Sequence, residues 1–146
     1  MASVSTYLNF PRNTEEVFNY YKSIFGGEFF GNGIMRFGDM PDSPGNPPMA
    51  DEDKNLVMHV ELRILGSHAL MGTDAPESMG FTVKFGNNLY INLEPDTRAE
   101  TDRLFKALAE GGKVEMEMQE MFWGDYFGSL TDKFGVKWMF NCSSKT

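Results

Sequence analysis

The sequence predicts an α+β fold of two tandem βαβββ modules, whose curved, mostly antiparallel sheets surround a pocket with the helices outside. Three observations predict it. A four-residue strand signature occurs twice, each copy leads into a helix closed by a glycine pair, and three strand-like stretches follow each pair. A repeat of supersecondary size decides the fold before local detail does.

Tyr7-Leu8-Asn9-Phe10 reads aromatic, apolar, amide, apolar, and Tyr90-Ile91-Asn92-Leu93 reads the same way. Each copy runs into a polar turn containing proline, Pro11-Arg12-Asn13-Thr14 and Glu94-Pro95-Asp96-Thr97. From Glu15 to Phe25, Val17, Tyr20, Tyr21, Ile24 and Phe25 recur at helical spacing. Asn13 or Thr14 can cap that helix, and Glu15 and Glu16 suit the positive end of its dipole. In the second copy Asp96 or Thr97 caps, and Leu104, Phe105 and Leu108 form the apolar stripe. Gly26-Gly27 and Gly111-Gly112 then supply the left-handed backbone that ends a helix.

The strands expected after the first helix are Glu28 to Phe37, Leu56 to Leu65 and His68 to Thr73. After the second they are Val114 to Met121, Trp123 to Thr131 and Val136 to Cys142. The modules therefore span 5–74 and 88–142 of one domain, with 75–87 as the linker. Phe81 to Phe85 alternates like a short strand but is assigned to that linker. Gly38 to Lys54, rich in Pro, Gly and Asp, is expected to be a flap beside the pocket; the plainer alternative is a solvent-exposed excursion.

Composition narrows the function. Lys and Arg total 13 against 21 acids, for a net charge of −8, and a nucleic-acid binder needs the opposite balance. No run approaches the ~20 apolar residues of a membrane span. No basic run followed by an apolar stretch opens the chain, and the single Cys142 supplies neither a disulfide nor a metal framework, so a cytoplasmic protein is expected. The 13 Phe and 11 Met suit irregular core volumes and also adaptable apolar pockets.

The ordered motifs resemble the vicinal-oxygen-chelate superfamily of glyoxalases, bleomycin-resistance proteins and extradiol dioxygenases, and within it the PhnB-like group. The likeness runs from about residue 5 to 142. It is carried by Tyr7-Leu8-Asn9-Phe10, Glu15-Glu16-Val17-Phe18-Asn19-Tyr20-Tyr21 to Gly27, and Met58-His59-Val60-Glu61-Leu62. Leu70-Met71-Gly72-Thr73-Asp74, Trp123-Gly124-Asp125-Tyr126-Phe127-Gly128 and Asp132-Lys133-Phe134-Gly135-Val136-Lys137-Trp138 complete it. The resemblance implies the doubled fold and a homodimer, and it leaves the reaction open, since the superfold hosts isomerases, dioxygenases and binders. Sequences of this kind are sometimes labelled 3-demethylubiquinone methyltransferases, but no Gly-rich strand-to-helix turn for an adenosyl cofactor is present.

Strand alternation sorts the candidate side chains. Leu8, Phe10, Leu89, Ile91, Leu93, Trp138 and Phe140 suit the helix-covered face. Tyr7, Asn9, Asn88, Tyr90, Asn92, Lys137, Met139 and Asn141 then face the cavity, with His68 and Leu70 from the matching first-half strand. Metal-dependent relatives use His and Glu side chains, and the matching positions fall near Ser5 or Thr6, Leu70, Asn88 and Met139. None carries a donor suited to such an ion, so no metal and no cofactor are expected. His59 and Glu61 share a face, as an acid/base or ligand pair or as a polar pair on a solvated surface. His68 reads as an exposed strand-end residue. Trp123, Tyr126 and Phe127 could stack on a planar ligand or pack in a core or dimer interface.

The function expected is binding of a small, partly aromatic or apolar molecule in a cavity, lined by Tyr7, Asn9, His59, Tyr90, Asn92, Trp123 and Tyr126. The alternatives are a metal-dependent lyase or dioxygenase of the superfamily, or a metal-free enzyme using His59 or Tyr126. Neither a nucleic acid nor a membrane is an expected partner.

Overall fold

Polar and apolar residues alternate along β1 (Thr6–Phe10), which exposes Tyr7 and Asn9 and buries Phe10. A computed structural model describes residues 1–41, 45 and 48–146. It divides into two units, Met1–Val83 and Lys84–Thr146. After β1 the first unit continues with α1 (Thr14–Phe25), β2 (Met35–Arg36), α2 (Asp51–Lys54), β3 (Val57–Arg63) and β4 (Ala69–Asp74). Its sheet has the order β1-β4-β3-β2, with β1 and β4 parallel and the other pairs antiparallel. This is the βαβββ connectivity expected from the repeat.

α1 buries Val17, Phe18, Tyr21 and Ile24 against this sheet. Phe18 was absent from the expected stripe, and it is the residue that fixes the packing distance. A Cβ on Gly72 of β4 would stand 2.4 Å from its Cε1. Neither expected cap serves α1, because Asn13 makes no side-chain cap bond. Asp74, at the end of β4, does so from across the sheet. Its Oδ1 accepts from Thr14 N (3.0 Å) and Thr14 Oγ1 (2.7 Å), and its Oδ2 accepts from Val57 N (2.8 Å). Asp74 is thus the joint between helix and sheet.

The first expected strand, Glu28 to Phe37, shrinks to β2 and one bridge, Phe29 to Leu62. Gly31 and Gly33 between them adopt φ of 68° and 81°, a conformation that interrupts a ladder. The expected flap falls partly on residues 42–44, 46 and 47, which lie outside the described residues. At its edges Arg36 clasps Glu15 of α1 through two bonds (2.8 and 3.0 Å), and Arg12 Nη2 binds Asp53 of α2 (2.8 Å) and Ser78 (3.0 Å).

The second unit contains β5 (Ile91–Leu93), α3 (Arg98–Ala109), β6 (Lys113–Glu120), β7 (Tyr126–Thr131) and β8 (Lys137–Cys142). Its sheet order, β5-β8-β7-β6, repeats the first. Thr97 caps α3, accepting from Glu100 N at 3.1 Å. Leu104, Phe105 and Leu108 are buried, with Phe105 edge-on to Phe140 at 5.2 Å. Cys142 is buried in β8. Leu89 departs from its expected core place: it precedes β5 and is 72% exposed. Phe81 to Phe85 forms no strand. No helix among the described residues is long and apolar enough to cross a membrane.

Candidate functional site

Among the described residues each sheet has one face under its own unit's long helix and one face free of it, and the candidate residues sort between the two. In the first unit Leu70, Gly72 and Asp74 of β4 lie on the α1 side. Leu70 is fully buried there, which corrects its expected cavity-facing position. The run Ala69-Leu70-Met71 has no polar residue to mark its parity, whereas the pairing register does. Tyr7 aligns with Met71 and Asn9 with Thr73, so these four share the helix-free face. His59 and Glu61 of β3 join them, Glu61 standing opposite Met71.

On this face the Tyr7 hydroxyl lies 3.1 Å from His59 Nδ1, with the rings 5.8 Å apart. Burial raises the Tyr7 phenol above its ordinary value, opposed by a hydrogen bond with Thr73. The hydroxyl donates to Nδ1 or accepts from it according to the imidazole tautomer. Beside it Glu61, 7% exposed, is ion-paired with Arg63, whose guanidinium stacks over Phe30 at 4.4 Å. His68 is held apart, its Nε2 2.9 Å from Thr6 Oγ1.

In the second unit Trp138, Phe140 and Cys142 are buried on the α3 side, and Lys137, Met139 and Asn141 turn to the helix-free face. Asn92 aligns with Met139 there. Tyr90 lies beside Lys137, whose ammonium sits 5.3 Å from the Tyr90 ring centre. The Tyr90 hydroxyl donates to Glu115 Oε1 at 3.1 Å, and Lys137 Nζ donates to Glu115 Oε2 at 2.8 Å and Thr131 Oγ1 at 2.9 Å. The Lys137 hydrogen bond, with help from Tyr90, holds the Glu115 carboxyl below its ordinary value. The same bond raises Lys137. Sequence reasoning missed Glu115: polar and apolar residues alternate through it, and the register shift beside it shows only in the strand pairing.

Two expected residues fall elsewhere. Tyr126 donates to Asp102 of α3 at 2.6 Å and lies under the Arg98 guanidinium at 4.8 Å, so it stands on the helix-covered face. Its strand begins three residues later than expected, and the polar side of α3 supplies partners that the strand pattern does not show. Trp123 lies in the β6–β7 turn, 51% exposed and edge-on to Phe122 at 4.9 Å. The described structure thus gathers Tyr7, Asn9 and His59 on one face and Tyr90 and Asn92 on another.

Of the positions matched to metal ligands, Thr6 and Leu70 lie in register on the α1 side of their sheet, and Asn88 precedes β5. The open-face residues in their places, Tyr7, Met71, Asn92 and Met139, include no histidine or carboxylate. Among the described residues no three His, Cys, Asp or Glu side chains form a group that could hold a metal ion. This donor set does not fit the His and Glu ligation of metal-dependent relatives.

With the fold and both faces defined, comparison with known proteins decides the family. Residues 2–140 match the family described as 3-demethylubiquinone-9 3-methyltransferase. The chain belongs to this PhnB-like family. Escherichia coli YjdN is 35% identical over 94% of this chain and 93% of its own. The crystal structure of Pseudomonas aeruginosa PA1353 shares 38% identity at a TM-score of 0.80, covering 97% of this chain and 98% of that one. The PhnB protein of Bacillus cereus shares 25% identity at a TM-score of 0.73, covering 97% and 99%. Solved members of the glyoxalase/bleomycin-resistance/dioxygenase group share the fold of this PhnB-like chain. The methyl transfer in the family's description would need an adenosyl donor, and neither strand-to-helix turn offers one a glycine-rich site. The turns entering α1 and α3 contain no glycine, and the first N–H of α1 is taken by Asp74.

Proposed function

We propose that this PhnB-like chain binds a small, partly aromatic or apolar molecule on the helix-free faces of its sheets, without a metal tetrad. The observation that carries this reading is the Tyr7–His59 pair. A phenol and an imidazole are joined on a face that no helix covers, and Tyr7 is 48% exposed. Side chains with donor and acceptor atoms beside Met71 suit a ligand that is apolar in body and polar at one edge. A screen of small aromatic and heteroaromatic compounds by NMR, read at the His59 ring, tests it. At least one compound is expected to shift that ring saturably. Tyr7→Phe should then weaken its binding about tenfold, the worth of one hydrogen bond to a ligand. If every compound that binds leaves His59 unmoved, the reading is wrong.

The same pair supports a second reading, a metal-free enzyme in which His59 exchanges a proton with the bound molecule. The proposal also includes a homodimer, the state implied by the family likeness, and a cytoplasmic location, the compartment that the single cysteine suits. Light scattering at micromolar concentration is then expected to return about twice the 16.5 kDa chain mass, and a monomer would remove the dimer from the proposal.

A further inference from the structure

We infer that the helix-free face of the second unit holds a binding site for a carboxylate, formed by Tyr90, Lys137 and Thr131, and that Glu115 occupies this site until a ligand carboxylate displaces it. The inference rests on the small-molecule-binding reading and names the chemistry of one part of that ligand.

Three features of the second unit carry it. First, a phenol and an ammonium from different strand positions converge on one carboxylate, 3.1 Å from Oε1 and 2.8 Å from Oε2. A donor to each oxygen is the arrangement that recognises a carboxylate as such, where a lone ion pair would engage only its charge. Second, the cation is built into the sheet. The Lys137 side chain is 14% exposed, its ammonium lies 5.3 Å from the Tyr90 ring centre, and Thr131 from the neighbouring strand accepts from its nitrogen at 2.9 Å. A surface ion pair leaves both long side chains free; this one fixes the cation and leaves the anion more exposed, at 28%.

Third, Glu115 sits where the ladder is irregular. Val114 faces Leu130 and Met116 faces Ser129, so two steps on β6 match one on β7, and Glu115 is the extra residue of a bulge. A bulge redirects a side chain, and β6 is an edge strand with a neighbour on one side only. The carboxylate is therefore carried by a bulged edge strand, while Lys137 and Thr131 are carried by the two central strands β8 and β7. Exchanging Glu115 for a ligand carboxylate keeps the half-buried Lys137 paired.

A site occupied nine-tenths of the time by its own side chain binds an incoming ligand about tenfold more weakly than the empty site does. Benzoate, titrated into the full chain and followed by NMR at Tyr90 and Thr131, is the probe. Glu115→Gln is expected to bind benzoate about tenfold more tightly than the parent. The gain should vanish in Glu115→Gln/Lys137→Met and should be absent for benzamide. Glu115→Ala gives a second route to the empty site if glutamine keeps the Tyr90 contact. Equal or weaker benzoate binding by both Glu115 variants overturns the inference, as does a gain that survives loss of Lys137. Compounds that still shift His59 in the first unit would show that the broader binding reading stands when this one has failed.

Discussion

Replacing Asp74 by alanine is expected to lower the stability of the protein by about 4 kcal/mol, since several buried donors lose a charged acceptor at once. Asp74 is 2% exposed, and its two oxygens serve the Thr14 amide, the Thr14 hydroxyl and the Val57 amide. Each bond joins a different part of the first unit: the start of α1, its buried first side chain, and the first residue of β3. Alanine leaves these groups without a partner in a space too tight for easy hydration, as the contacts of Thr14 Cγ2 and Phe18 around Gly72 indicate. Asparagine keeps the shape and one acceptor but turns an amide N–H₂ toward one set of donors, so its loss should be smaller, about 2 kcal/mol. Urea unfolding checks both, with a fall in midpoint at unchanged slope. A loss below about 1 kcal/mol for alanine would mean that water reaches these donors, and that Asp74 is not the joint described above.

The position of Asp74 shows how far sequence reaches in this fold. The repeat was legible because its parts are local: a Tyr-x-Asn strand, a polar turn, an amphipathic helix and a glycine pair each leave a signature within a few residues. The parity of β1 and β8 was legible for the same reason, and Phe10, Trp138 and Phe140 are buried as expected. What failed depends on contacts between distant segments. Leu70 was given the wrong face because β4 is apolar on both sides, and only its register with β1 settles the matter. Tyr126 was placed among ligand-binding aromatics because nothing in its strand reveals Asp102 of α3. Glu115 was missed because the register shift beside it shows only in the pairing of β6 with β7, while the sequence alternates straight through it. The face of a residue was therefore legible where strand alternation holds, and not where an irregularity or a distant partner redirects the side chain.

Trp138→Ala should cost the second unit about 4 kcal/mol, near the upper range for removing a buried aromatic side chain. Trp138 is fully buried in the central strand of its sheet, paired with Leu130 on one side and Ile91 on the other. Two losses combine there. The cavity forfeits the packing of the largest side chain in the core, and Asp132 loses the indole N–H that binds its Oδ2 at 2.9 Å. Asp132 also holds the β7–β8 turn, accepting from Phe134 N and Val136 N through Oδ1. The turn and the core are thus tied through one carboxylate, and a comparison of variants can separate the two terms. Trp138→Phe retains most of the volume but removes the N–H, so it isolates the hydrogen bond to a buried charge, about 2 kcal/mol. If Trp138→Phe proves as damaging as Trp138→Ala, the polar contact dominates. If it is nearly neutral, the ring's volume is what matters. Thermal unfolding of the three proteins gives the order directly, and because Lys137 and Met139 flank Trp138 on the opposite face, any loss of ligand binding in these variants should track their unfolding rather than precede it.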